Sequence, residues 1–173
     1  MHNNKNLHIA VYGCGNILLG DDGFGPAVIK NLQKGNSLPD SVLLEDVGTG
    51  IREYLFDFIL DADTAPSHLI VLDAVDFEHR TAGEVFTITP DAIPAKKIHD
   101  FSLHQFPTVN LLQELADHIG ISVHIIAAQT EYIPDEIQPG LTPTMQKAVV
   151  EASSQVRQLV TAICAPSSKE EKA

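Results

Sequence analysis

The chain has 173 residues, 44% hydrophobic and 20% charged, with 11 Gly and 10 Pro, a balance that fits one globular domain and excludes collagen-like, coiled-coil and disordered chains. Lysine plus arginine number 11 against 23 aspartates plus glutamates, giving a formal charge of −12 that argues against binding a nucleic-acid phosphate backbone. The two cysteines, Cys14 and Cys164, are too few and too distant for a disulfide framework or a thiolate zinc site, and no signal peptide or membrane span is expected, so the expected setting is cytoplasmic.

Residues 7–11 predict a short apolar strand running into the glycine-rich Gly13-Cys14-Gly15-Asn16. After Asp21, Asp22 and Gly23, the apolar Phe24, Ala27, Val28 and Leu32 recur at helical spacing and stop before Gly35. A second strand is expected at 42–46, then Gly48-Thr49-Gly50, then a helix with Ile51, Leu55, Phe58 and Ile59 that runs out near Asp63. Residues 68–75 hold Leu69-Ile70-Val71-Leu72, which suits a strand covered on both faces, with Asp73 and Asp76 near its end. The link to the next strand, 83–89, has no room for a crossover helix, so that strand should run antiparallel at an edge. Pro107 opens a helix with Val109, Leu111, Leu112, Leu115 and Ile119, closed by Gly120. A last strand at 123–128 precedes a helix capped by Thr142, opened by Pro143 and carrying Met145, Val149, Ala152, Val156 and Leu159. Alternating strands and helices make this an α/β chain, a three-layer α/β/α sandwich forming one domain over 1–173 with a frayed tail at 166–173.

In such sheets ligands sit at the C-terminal ends of the parallel strands, and three places put chemistry there. The first is residues 13–25. Its third fingerprint glycine would fall at Leu18, and two carboxylates before a helix oppose a phosphate, so dinucleotide binding is disfavoured. One of the pair, Asp21, reads as a helix cap, which leaves Asp22 over. The second is Asp73, which taken alone is a strand-end carboxylate bonded to backbone N–H groups. If strands one and three are neighbours, it faces the same cleft as Asp22. The third is Ser102-Leu103-His104-Gln105, ahead of the Pro107 helix; the other seven of the 8 histidines read as surface or packing residues. Asp22, Asp73 and His104 make an O, O, N donor set suited to a borderline divalent metal, with positions left open to a substrate. No G-x-S-x-G elbow exists for a serine nucleophile, and Cys14, a second candidate nucleophile, reads better as a small buried hydrophobe.

These residues carry a resemblance. Gly13-x-Gly15-Asn16-x-Leu18-x-x-Asp21-Asp22-Gly23-x-Gly25, Asp73 ending the third strand, Ser102-x-His104 before a helix and Gly140-Leu141-Thr142-Pro143 are similar to the motifs of the NiFe-hydrogenase maturation endopeptidases, over roughly residues 7–160. The resemblance implies an α/β/α sandwich around a five-stranded mixed sheet with one antiparallel edge strand. It implies removal of a short C-terminal extension from the precursor of a NiFe-hydrogenase large subunit, after the last metal-binding cysteine motif and once nickel is inserted. Asp22, Asp73 and His104 fall on the nickel ligands, the candidate catalytic groups, and Gly13, Gly15, Asn16, Asp21, Gly48, Thr49 and Gly50 on the loops that meet the precursor. Nickel is expected to be presented by the precursor and held only weakly by the free protease, with no nucleic acid or membrane as partner. Pro107 departs from the glycine of some members. The stretches 13–28 and 45–50 look most like members serving deazaflavin-coenzyme-reducing hydrogenases of methanogens. Two other classes stay open from the residues: a non-cleaving chaperone that checks the precursor for nickel, and a small-molecule α/β enzyme.

Overall fold

The structure is a computed structural model and describes residues 9–35, 38–90 and 108–165. Five strands, β1 (Ile9–Cys14), β2 (Val42–Gly48), β3 (His68–Val75), β4 (Val85–Ile88) and β5 (Ser122–Gln129), form one sheet in the order β2-β1-β3-β5-β4. β1 pairs parallel with β2 and β3, and β3 parallel with β5. β4 lies at the edge, antiparallel to β5, as the short link after β3 requires. This is the mixed five-stranded sheet expected from the sequence.

Central strands bury both faces, which is why their sequences are apolar without alternation. On β3, Leu69, Val71 and Val75 enter one core, and Ile70, Leu72 and Ala74 the other. The first core is covered by α2 (Ile51–Leu60) through Ile51 and Leu55, and by α3 (Thr108–Glu114), which continues into a π turn at Leu115–Ile119. The second is covered by α1 (Phe24–Gln33) and α4 (Pro143–Cys164). Phe24, Ile29 and Leu32 of α1 are fully buried, and at roughly 1.5–3 kcal/mol each they hold that helix firmly on β1.

Local signals set the helix ends as expected. Gly120, at φ +79°, closes the π turn, and the Thr142 hydroxyl accepts from Met145 N–H at 3.2 Å with Pro143 in the first turn. β1 differs from expectation at its far end: the strand continues through Gly13 and Cys14 instead of giving way to a loop. A Cβ on Gly13 would lie 2.6 Å from both the Gly25 carbonyl oxygen and Ile29 Cγ1. Gly13 therefore serves a close crossing of β1 by α1, not a turn. Among the described residues no helix is long and apolar enough to cross a membrane. The Pro107 helix start and the tail at 166–173 lie outside the described residues.

Candidate active site

The chain leaves β1 toward β2 on one side and returns to β3 on the other, so the loops after β1 and β3 part and open a crevice at that switch point. Residues 15–23 fold back over the end of β1. Gly15 has φ +124°, and a Cβ there would overlap the Asp22 carbonyl oxygen, so only glycine permits this path. Asn16 N–H donates to Asp22 Oδ2 at 2.7 Å, and Asn16 Oδ1 accepts from Leu18 N–H at 3.0 Å. The loop is joined to the one after β2 by Gly15 N–H donating to the Gly48 carbonyl at 2.9 Å. Gly48, at φ +52°, donates to Asp46 Oδ1 at 3.0 Å, Thr49 is exposed, and Gly50 sits at the N-cap of α2. Of the residues assigned to substrate loops, Gly15, Asn16, Gly48, Thr49 and Gly50 thus share one edge, while Gly13 is inside the sheet beneath α1.

Asp73 lies within β3, opposite Ala127 of β5, one residue beyond the last β1 pairing of Leu72 with Gly13. The strand persists there because β5 continues beside it after the pairing with β1 has ended, and Asp73 is near enough to Asp22 to feel its charge. Asp22 and Asp73 are 3% and 4% exposed. Among the described residues Asp73 accepts one hydrogen bond, from Ala74 N–H at 2.9 Å. Burial first, then the negative charge of Asp22, push the Asp73 pKa up to about 8 against the weaker pull of that N–H. The two carboxylates are therefore coupled and hold a proton near neutrality that a cation can displace. Cys14 is buried beside them: burial, then the charges of Asp73, Asp22 and Asp46, push its thiol well above its ordinary pKa. A thiol kept protonated is a poor nucleophile.

Asp21 does not do what the sequence suggests. The N-cap of α1 is Gly23, with no side-chain cap bond. Asp21 is 0% exposed and accepts from four donors: Glu131 N–H and Tyr132 N–H, each at 3.0 Å, Thr142 N–H at 2.8 Å and the Thr142 hydroxyl at 3.1 Å. The 3-10 turn at Gly20–Gly23 presents Asp21 to the β5–α4 connection, where the donors that a buried carboxylate requires are supplied. It fastens that connection, and through Thr142 the start of α4, over the end of β1.

His104 and Ser102 lie outside the described residues. Among the described residues no group of three His, Cys, Asp or Glu side chains is arranged to hold a metal ion. Asp22 and Asp73 supply two oxygen donors, and the sparsely bonded, partly protonated Asp73 fits the approach of a divalent cation. A cleft of about 570 Å³ opens between the 3-10 turn, α1 and Leu141, lined by Gly20 and Gly23 on either side of the buried Asp21 and Asp22 in sequence and by Asp46. No sequence pattern signals it, because its walls come from separate elements.

The fold is shared with known proteins. The family model for hydrogenase maturation proteases matches residues 26–159. A Methanocaldococcus jannaschii protein assigned by name to those proteases is 38% identical over 86% of this chain and 93% of its own length. The coenzyme F420 hydrogenase subunit delta of Methanothermobacter thermautotrophicus is 35% identical over 83% of this chain and 89% of its own. The hydrogenase maturating endopeptidase HybD from Escherichia coli superposes with a TM-score of 0.70 at 29% identity, covering 90% of this chain and 93% of that one. With the same sheet and matches along most of its length, the chain belongs to the hydrogenase maturation protease family of peptide-bond hydrolases.

Proposed function

We propose that this protein removes the C-terminal extension from the large-subunit precursor of a NiFe-hydrogenase after nickel insertion, with Asp22, Asp73 and His104 gripping nickel that the precursor presents. The observation that carries this is the burial of Asp73 beside Asp22 at the switch point with one hydrogen-bond donor among the described residues, a carboxylate that needs either a proton or a cation. Membership of the family and likeness to a coenzyme F420 hydrogenase subunit support a hydrogenase precursor as substrate. Two carboxylates and an imidazole, without a thiolate, hold a free nickel ion weakly, so the softer ligands and the selectivity come from the precursor's cysteines. Nickel is then part of the substrate, and once seated it supplies Lewis-acid polarisation of the peptide carbonyl or of water. The chain's own contribution is positional. Asn16 N–H fixes Asp22, Asp73 yields its proton as the nickel arrives, and the joined loops at Gly15 and Gly48 border the incoming peptide.

The test is to mix purified protein with nickel-loaded and nickel-free precursor, without added metal, and weigh the products by mass spectrometry. The extension should leave the loaded form only. Asp22→Asn, Asp73→Asn and His104→Ala should each slow the cut by ~100-fold or more with the fold retained. Efficient cutting of nickel-free precursor by metal-stripped protein would overturn the mechanism, and binding of loaded precursor without cutting would make the protein a checkpoint.

A further inference from the structure

The cleft lined by Gly20 and Gly23 of the 3-10 turn is the upper end of a longer groove. From Gly23 and Asp46 it runs along α1 and shares Ala27, Lys30 and Leu141 with a second hollow of about 270 Å³, which reaches Lys34, Val149 and Val150. The upper part alone lies within the range of about 300–1,000 Å³ found for ligand clefts. Its lining is apolar where α1 meets the start of α4, and apolar side chains are left to water at both ends: Ile17 is 59% exposed at the mouth and Val150 63% exposed in the lower hollow.

The charges on this groove run against the rest of the molecule. Lys30, in the last turn of α1, and Lys34, the helical C-cap that follows it, are both exposed and lie one turn apart, so their ammonium groups share one face. Among the described residues neither has an ion-pair partner; the pair formed there is Arg80 with Glu84. Asp46 is the one acidic lining residue and stands at the opposite, upper end. In a chain of net charge −12, two unpaired cations beside an apolar trough select an anionic, partly apolar segment and discourage a basic one.

We propose that this groove holds the leaving side of the substrate, the precursor's C-terminal extension, with apolar side chains on the floor and carboxylates, including the chain-terminal one, against Lys30 and Lys34. The proposal rests on the function proposed above and names the surface that recognises the segment to be cut away. The extension is the fitting occupant because the groove starts at Gly23, the residue after Asp22, and continues along α1 past both lysines. The terminal carboxylate is also the anion that every such segment carries.

The test combines charge reversal with a direct binding measurement. Lys30→Glu/Lys34→Glu is compared with Arg52→Glu, which changes a half-buried cation of α2 on the other layer, set over the Phe56 ring. On nickel-loaded precursor the double variant should raise KM ~10-fold or more with kcat within about twofold, and Arg52→Glu should change neither. A labelled synthetic peptide of the extension should bind wild type, compete with cleavage, and bind the double variant ~10-fold more weakly, with an affinity in wild type that falls as salt is added. Equal KM, or equal peptide binding by both proteins, would overturn the proposal. A raised KM with a peptide that neither binds nor competes would assign the groove to the body of the precursor and also overturn it. Failure of wild type to cut loaded precursor would count against the function itself, while peptide binding would still report on the groove.

Discussion

Asp21 and Asp73 are carboxylates buried at the same edge of one sheet, and they differ in what faces them. Asp21 meets four donors from the β5–α4 connection, so its lone pairs are occupied and its burial is a structural fastening. Asp73 meets one N–H among the described residues, and burial, then the field of Asp22, raise its pKa to about 8 and leave its oxygens available. Burial alone therefore does not mark a reactive carboxylate; the count of donors does. The two also depend on each other. Asp21 anchors the same short turn that carries Asp22, so the satisfied carboxylate positions a partner of the unsatisfied one.

Replacing Asp21 breaks the structural half of that comparison and should have the largest effect on stability. In Asp21→Asn the amide offers one acceptor oxygen to four donors, and buried N–H groups left unmet should cost roughly 3–5 kcal/mol. Urea unfolding should show the lowered midpoint, and heating a fall in Tm of roughly 10 °C for a chain of this size. Cleavage per folded molecule at low temperature should stay within a few-fold of wild type. An unchanged midpoint with lost cleavage would reverse the roles of Asp21 and Asp22.

The second test sharpens the other half. The folded pKa of Asp73, about 8, stands above its ordinary 3.8, so between those values the folded state binds the extra proton. Stability from this group is full below pH 4, falls as pH rises toward 8, and is flat beyond. Asp73→Asn removes the ionisation, so the variant should gain several kcal/mol on wild type between pH 4 and pH 8. The measurement is the difference between wild-type and variant unfolding midpoints at pH 5, 7 and 9, which cancels the other titrating groups. A difference that shrinks with rising pH would contradict the sparse bonding assigned to Asp73.

Much of the fold was legible because it rests on local chemistry. Apolar runs gave β3, helical spacing gave α1 and α4, Gly120 and Thr142-Pro143 gave helix ends, and a link too short for a crossover gave the antiparallel edge. Asp22 and Asp73 could be placed together only on the condition that β1 and β3 are neighbours, which the sheet order fulfils. Two kinds of fact stayed hidden. Gly13 looks like a turn glycine, since glycine serves turns and close crossings alike, and only its contact with Gly25 distinguishes them. Asp21 looks like a cap because caps are local, whereas its donors lie 110 to 121 residues away. The Lys30–Lys34 groove was hidden for the same reason, as its walls belong to α1 and to the start of α4.

The smallest expected effect belongs to Cys14, the third group at this edge. It stands in the core that contains Tyr12 and Val47 and shares the field of Asp22 and Asp73, which with burial keeps its thiol protonated. A carboxylate pair that retains a proton makes the site receptive to a cation, and the same negative field makes a thiolate nucleophile unfavourable there. Cys14→Ala should consequently remove one small buried group, cost about 1 kcal/mol or less, and leave cleavage of nickel-loaded precursor within about threefold of wild type. The folded protein should react with iodoacetamide at exposed Cys164 well before Cys14, which peptide mapping after timed alkylation would show. Loss of cleavage in Cys14→Ala at unchanged stability, together with fast alkylation of Cys14, would replace the carboxylate-centred chemistry with a thiol-centred one.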